Sequence, residues 1–277
     1  MTQADEKHLT LVCYRSGYGG DFLCALLDKA LGNSQLLTRD ANNRYWFNNY
    51  VFSTFNYQIK SLHHIFSYYY DQDSVQVIDS LVGKIDWADE IKKIYDMCYD
   101  PDESYFIENV YDYIKTGMNL PYEYNVGNLH YTGEFQAFDL RRVHENMSVI
   151  FLKAEDPLHY QYFHAFSQIK TNFKVIKNSS AMKKENFDWK PLPYASVIDA
   201  GKLFFEDSLD DKISSVLSEV VGKRVDIDVA ELKRYRADNV EVLKRHFGDN
   251  FANMDASAFR AKKLELYARM AQGEDHQ

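Results

Sequence analysis

A short stretch near residue 15 carries the residues whose types and spacing most favour chemistry. Arg15 and Ser16 stand directly before three closely spaced glycines, Gly17, Gly19 and Gly20. Glycine lets the backbone approach a bound group closely, and free N–H groups at the start of a helix favour an anion. Because a guanidinium beside such a turn adds a matching positive charge, the stretch predicts a cradle for a phosphate group.

The elements on either side of this stretch predict how it is held. The run LTLVCY, residues 9–14, is apolar and is typical of a short buried strand. Apolar residues then recur at helical spacing from Phe22 to Leu31, and Gly32 is placed to end that helix. A strand, a glycine turn and a helix in this order are typical of the opening unit of an α/β fold.

Later segments continue this alternation of strands and helices. Three further strands are predicted: around residue 129, at 148–153 and at 196–198. Four further helices are predicted: one starting near Pro157, one from about residue 205 to Gly222, and two in the C-terminal tail after residue 228. The C-terminus is therefore expected to be helical.

Aromatic residues are unusually frequent, with 21 tyrosines and 18 phenylalanines, many of them between residues 45 and 131. They are interleaved with acids and amides rather than with cations, which disfavours stacking on nucleic-acid bases. Packing between helices and sheet and an aromatic pocket for an organic ligand both fit this pattern. The chain is predicted to be a single α/β domain over residues 1–277, with an aromatic-rich helical insertion at about residues 40–125.

Bulk composition argues against several classes of function. The 277 residues are 45% hydrophobic, which is enough to bury a substantial core. Their formal net charge of −9 repels phosphate backbones, so no nucleic-acid partner is expected. No apolar run reaches the roughly 20 residues of a membrane helix, and the first residues lack the features of a signal peptide. The three cysteines form no CxxC pair, so we expect a cytoplasmic location and no membrane partner.

Three other interpretations of the glycine stretch compete with a simple phosphate cradle. The Walker A pattern needs a lysine after its last glycine, and none follows Gly20. The dinucleotide fingerprint fits at Gly17 and Gly19, but Phe22 stands where its third glycine belongs. The third is a turn that binds nothing, because the Asp21 carboxylate caps the helix and repels a phosphate.

The stretch from Tyr14 to Leu23 resembles the 5′-phosphosulfate-binding loop of the sulfotransferase family. In many bacterial members that loop reads roughly Pro-Arg-Ser-Gly-Ser/Thr, and Arg15, Ser16 and Gly17 match it. Tyrosines stand at the family's proline and first threonine. The resemblance implies a three-layer α/β/α fold of the P-loop type with a central parallel sheet. It also implies the sulfuryl donor 3′-phosphoadenosine-5′-phosphosulfate.

The same resemblance implies roles for the loop residues. Arg15 would lie against the 5′-phosphate and the bridging oxygen of the donor. Backbone N–H groups would bind the same group, from Ser16, Gly17, Tyr18, Gly19 and Gly20. No metal ion is needed for this scheme.

A second segment, VIFLKAEDPLHYQYFHAF, resembles the family's 3′-phosphate-binding stretch in outline. The family's arginine falls on Lys153 or Ala154, and its serine falls near Tyr162. Lys153 and Tyr162 are therefore the implied ligands of the 3′-phosphate. Since lysine lacks the bidentate fork of arginine, the resemblance implies a weakened 3′-phosphate site.

A third segment, GNLHY, places His130 where the family carries its catalytic histidine, although Asn128 stands in place of the accompanying lysine. The implied role of His130 is a general base that takes a proton from the acceptor. The resemblance covers residues 9–32, 126–170 and 195–247, and only the first of these is motif-like.

These observations lead to one expected function and two alternatives. The expected function is transfer of a sulfuryl group to a hydroxyl or amine on a small-molecule or glycan acceptor, with residues 45–125 forming the acceptor pocket. One alternative is a non-catalytic binding or assembly protein whose donor site has decayed, motivated by Lys153 or Ala154 at the family's arginine position and by Asp21. The other is a different nucleotide-dependent enzyme, such as an atypical kinase or an NAD enzyme. The sequence leaves a homodimer open.

Overall fold

The computed structural model describes residues 7–15, 17–37, 45, 120–130, 140–142, 144–170 and 191–272. Within these ranges the chain is an α/β protein with a four-stranded parallel sheet and six α-helices. The strands are β1 (His8–Tyr14), β2 (Tyr124–His130), β3 (Met147–Lys153) and β4 (Ser196–Asp199). The α-helices are α1 (Gly20–Ala30), α2 (Pro157–Lys170), α3 (Ala200–Phe204), α4 (Ile213–Val221), α5 (Val229–Phe247) and α6 (Ala256–Gln272). Two 3-10 turns lie at Leu140–Arg142 and Asp249–Asn253.

The strand order is β2-β1-β3-β4, and every described pairing is parallel. β1 lies between β2 and β3, with Tyr14 opposite His130 and Cys13 opposite Phe151. The chain goes from β1 to β2 on one side and then to β3 on the other. The strand order therefore reverses at β1. In parallel sheets of this kind, ligands bind at the carboxyl ends of two adjacent strands whose connections lead in opposite directions. That point lies between the ends of β1 and β3.

Burial explains why β1 takes the inner position. Every residue of β1 after His8 is buried, as expected for a strand covered on both faces of a parallel sheet. β4 is different, because Ser196 and Val197 are exposed. The predicted strands and the parallel sheet are confirmed in the described part of the chain, as is the helical C-terminus.

One predicted helix is wrong in its extent. The sequence predicts one helix from about residue 205 to Gly222. In the structure, turns follow the short helix α3, and only the later part of the segment is helical, as α4. The Asp199 carboxylate caps α3, and turn hydrogen bonds join Asp210 to Asp207 and Lys212 to Leu209. The acid-rich segment between the helices satisfies its backbone locally and does not continue a helix. Gly222 ends α4 in a left-handed conformation, as predicted.

Two apolar clusters join the C-terminal helices to the sheet. In the first, the ring of Phe22 on α1 stacks on that of Tyr235 on α5, with 4.0 Å between centroids. In the second, Tyr162 on α2 packs edge-on against Phe251 and against Phe259 on α6. α5 and α6 are therefore part of the same packed body as the strands.

Most of the aromatic-rich insertion predicted at residues 40–125 lies outside the described residues. Tyr45 is described, and its ring packs against Phe22 and Tyr235. Among the helices that the structure describes, none combines the length and the apolar character needed to cross a bilayer.

A buried ion pair attaches α5 to the segment after α3. Arg236 donates from Nε to the Leu203 carbonyl at 2.9 Å and from Nη2 to the Asp210 carboxylate. Both side chains of the pair are 10% exposed. The hydrogen bond from Arg236 holds the pKa of Asp210 below its ordinary value of 3.8, against the opposing effect of burial.

We predict that Arg236→Met lowers the free energy of unfolding by about 3 kcal/mol at neutral pH, because it removes the hydrogen-bonded partner of a buried carboxylate and leaves only Lys233, 3.9 Å away. The pKa of Asp210 in the folded state is depressed. The pair therefore contributes to stability above pH 3.8, and this contribution is lost as the pH falls below that value. Urea denaturation of parent and variant at neutral and at acidic pH measures both effects. Arg224→Met, which removes an exposed cation, is the control. Equal midpoints for parent and Arg236→Met at neutral pH would contradict the prediction.

Candidate functional site

A crevice of about 550 Å³ opens between the carboxyl ends of β1 and β3. This is the point where the strand order reverses, so the cavity lies where parallel sheets of this type bind ligands. Residues from the β1–α1 connection, the end of β3 and the first turn of α2 line it. They include Arg15, Tyr18, Lys153, Ala154, Glu155 and Tyr160.

The β1–α1 connection is a tight turn. The N–H of Tyr18 donates to the carbonyl of Arg15 at 3.0 Å. Gly17 and Gly19 have φ of 93° and 74°, a left-handed conformation that favours glycine. The Tyr18 N–H is thus already hydrogen-bonded. It cannot at the same time make the contact to a ligand that the family resemblance implies for it. Ser16 lies outside the described residues.

Two glycines are explained by packing rather than by ligand contact. A Cβ on Gly20 would lie 1.9 Å from the Tyr14 ring, and one on Gly19 would lie 2.7 Å from the Tyr235 hydroxyl oxygen. Both glycines are buried and neither is among the residues that line the crevice. Their small size brings the start of α1 against β1 and α5, which is a structural requirement whatever the turn binds.

The Arg15 side chain reaches from the end of β1 to α2. Its Nη1 donates to the Tyr160 hydroxyl oxygen at 2.6 Å, and its Cζ lies 5.6 Å from the centroid of the Tyr160 ring. The guanidinium is therefore held by α2 and is not turned into bulk solvent. Since Pro157 starts α2, Tyr160 lies one turn along the helix and reaches back towards the end of β1.

The charges around the crevice favour an anion. Lys153 is half-buried at the end of β3, and no carboxylate or hydrogen-bond partner of its ammonium group lies among the described residues. Glu155 is exposed and its carboxylate lies 3.7 Å from Lys202. That lysine also lies 3.6 Å from Asp199. Glu155, the acid in the described crevice wall, is thus paired with Lys202 and not with Lys153, whose charge remains available to a ligand.

Asp21 faces the other side of the turn. Its carboxylate accepts hydrogen bonds from the Tyr14 hydroxyl and from Nδ2 of Asn128, the latter at 2.9 Å. The N-cap residue of α1 is Gly19, and no side-chain hydrogen bond caps the helix there. The interpretation that Asp21 caps α1 is therefore wrong, because Tyr14 and Asn128 hold its carboxylate towards β2.

The Tyr18 side chain forms one wall of the crevice. Its ring stacks on Phe163 of α2, with 4.3 Å between centroids and 26° between planes. Burial raises the pKa of its phenol, and neighbouring Arg15 and the backbone N–H of Ala154 oppose this only in part. The phenol is thus a neutral hydroxyl at the boundary between β1, β3 and α2.

Of the other predicted site residues, Tyr162 does not line the crevice. Tyr162 is buried in the cluster with Phe251 and Phe259, and its hydroxyl donates to the Phe251 carbonyl at 3.4 Å. Burial raises the pKa of Tyr162 to about 12. His130 ends β2 opposite Tyr14, at the same edge of the sheet as Arg15. The position of its side chain lies outside the described part.

The structure thus brings together Arg15, Tyr18 and Lys153, as the sequence predicts, and adds Tyr160, which was not predicted. The available signal was its distance from Pro157, because a residue in the first turn of a helix after a strand faces the carboxyl edge of the sheet. Among the described residues, no group of three or more His, Cys, Asp or Glu side chains is arranged to hold a metal ion.

No family model matches the chain. No match was found among curated proteins or among solved structures either.

We predict that Gly20→Ala destabilises the protein by about 3 kcal/mol, because the added methyl group overlaps the Tyr14 ring and must displace it. The matched control is Gly32→Ala. Gly32 has φ of 81° but no atom within 4 Å of an added Cβ, so only backbone strain of about 1 kcal/mol is expected there. Thermal and urea denaturation measure both variants. A smaller loss for Gly20→Ala than for Gly32→Ala would contradict the packing of the turn.

Proposed function

We propose that the chain is a sulfotransferase-like protein that binds 3′-phosphoadenosine-5′-phosphosulfate in the crevice between β1 and β3. The observation that carries this proposal is that two positively charged side chains line this crevice. The half-buried ammonium of Lys153 has no described partner, and the guanidinium of Arg15 lines the same cavity. Two cations converging at the strand reversal favour a ligand with more than one anionic group.

The fold supports the proposal in its main features. A central buried strand leads through a glycine turn directly into α1, and the sheet is parallel throughout its described part. We assign to the chain a three-layer α/β/α arrangement of the P-loop type, with helices on both faces of the sheet. This arrangement is what the resemblance of residues 14–23 to the family loop implies.

In the proposed complex, Arg15 binds the 5′-phosphate and Lys153 binds the 3′-phosphate. A guanidinium stabilises negative charge that develops on a leaving phosphate oxygen. Lys153 supplies a point charge without a fixed hydrogen-bonding fork, so the 3′-phosphate contributes less affinity than an arginine would provide. Tyr162 has no part in this site, because it faces the C-terminal helices.

The reaction is an in-line transfer. The acceptor oxygen or nitrogen forms a bond to sulfur while the bond from sulfur to the bridging oxygen breaks. The electron pair of that bond goes to the 5′-phosphate, which leaves as adenosine 3′,5′-bisphosphate. His130 takes the proton of the acceptor. Neighbouring strands are about 4.8 Å apart, so the backbone of His130 lies one strand from β1 on the side opposite the donor crevice.

A specific observation also favours a second candidate, a non-catalytic binding protein on the same fold. The N–H of Tyr18 donates to the Arg15 carbonyl, and neither Gly19 nor Gly20 is among the residues that line the crevice. The turn thus offers fewer backbone donors than the family loop. In that case the crevice would bind an anion through side chains alone, without transfer.

We expect adenosine 3′,5′-bisphosphate to bind the parent protein, and a hundredfold excess over Kd to add about 2.7 kcal/mol of stability. Arg15→Ala and Lys153→Met should each weaken binding about tenfold to a hundredfold, because each removes a charged hydrogen-bond donor. Isothermal titration measures the affinities. Arg224→Met is the control for loss of a cation far from the crevice. Unchanged affinity in both crevice variants, or no heat with the parent protein, would reject the donor site.

His130→Ala separates the two candidates. For a sulfotransferase we expect at least a hundredfold loss of transfer rate, the usual effect of removing a general base. Affinity for the bisphosphate should stay unchanged, because the donor lies on the other side of β1. Transfer is measured from labelled donor to a panel of phenols and primary amines. A parent protein that binds the bisphosphate but transfers nothing supports the non-catalytic candidate, and full activity in His130→Ala contradicts the role of this histidine.

A further inference from the structure

The side chain of Tyr18, rather than its backbone, is placed to contact a ligand in the crevice. Its N–H is engaged by the Arg15 carbonyl, yet its side chain lines the cavity beside Arg15 and Lys153. We propose that the Tyr18 hydroxyl donates a hydrogen bond to the tetrahedral oxyanion that Arg15 binds in the crevice, as a second side-chain donor to that group. The identity of the anion as the phosphosulfate of the donor rests on the proposed function.

The surroundings of Tyr18 fix its phenol in a defined position. The ring stacks on Phe163. The side chain is only 6% exposed, so few alternative rotamers are open to it. Among the described residues the phenolic oxygen has no hydrogen-bond acceptor, so its O–H proton is available to a ligand.

The ionisation state of the phenol suits this role. Burial raises the pKa of Tyr18, and the nearby Tyr160 raises it further. Arg15 lowers it, but the net shift is upward. The hydroxyl therefore keeps its proton across the neutral range. A neutral donor adds no charge repulsion beside a bound anion, whereas a phenolate would repel it.

Two side-chain donors from the β1–α1 connection suit a sulfuryl or phosphoryl group, which carries up to three terminal oxygens in a tetrahedral arrangement. Arg15 approaches from the end of β1, and Tyr18 approaches from the wall that faces α2. Lys153, at the end of β3, remains for the 3′-phosphate of the proposed donor. In this arrangement a side-chain hydroxyl replaces the backbone donor that the turn has lost at the same residue.

Tyr18→Phe tests the proposal, with Tyr162→Phe as the matched control. Both parent side chains are buried tyrosines, 6% and 4% exposed, and only the first lines the crevice. We expect Tyr18→Phe to weaken binding of adenosine 3′,5′-bisphosphate and of inorganic sulfate about tenfold to a hundredfold, the usual effect of one hydrogen bond to a charged group. Tyr162→Phe should bind both probes like the parent. Isothermal titration measures the affinities, and circular dichroism checks folding.

Each outcome decides between the inference and the proposed function. If the parent binds the bisphosphate and Tyr18→Phe binds it equally well, the inference is overturned and the proposed function stands. If the parent binds sulfate but not the bisphosphate, and Tyr18→Phe loses sulfate, the inference stands and the donor assignment fails. A parent that binds neither probe overturns both. Should Tyr18→Phe not fold, the ultraviolet difference spectrum of the parent replaces it, since sulfate must perturb a tyrosine absorption if the inference is right.

Discussion

The contact between the Tyr14 ring and Gly20 is the constraint on which the site depends. A side chain at position 20 would overlap that ring, so the first turn of α1 rests directly on the last residue of β1. This close approach leaves no room for a wide loop between them. Arg15 must leave the strand on one side of the turn, while Asp21 emerges on the other. The sites of positive and negative charge are thereby separated by the turn itself.

This separation resolves the conflict that a carboxylate next to an anion site would create. Asp21 is held by two neutral donors, Tyr14 and Asn128, on the side of β2. Arg15 and Lys153 face the opposite side, between β1 and β3. The pKa of Tyr14 is raised, first by burial and then by Asp21, so its hydroxyl stays a donor to that carboxylate. A buried tyrosine thus serves as a spacer between opposite charges.

The sequence predicted features that depend on neighbours along the chain. Strand β1, helix α1 and strand β3 are continuous apolar patterns, and their positions were found to within a few residues. Contacts between distant residues left no such signal. The hydrogen bond from Arg15 to Tyr160 joins two elements that meet only in the folded sheet. Gly20 looked like a ligand-binding glycine because sequence alone does not reveal the ring above it. The segment after α3 does not form a helix because local turns take its backbone hydrogen bonds, from the Asp210 N–H to the Asp207 carbonyl and from the Lys212 N–H to the Leu209 carbonyl.

The ring of Tyr235 covers Gly19 and stacks on Phe22, although it belongs to α5 near the end of the chain. During synthesis on a ribosome, the turn after β1 therefore emerges long before the residue that covers it. A nascent chain that stops short of α5 has its glycine turn uncovered and free to sample other conformations. During synthesis, therefore, the turn can reach its final packing only after most of the polypeptide has been made.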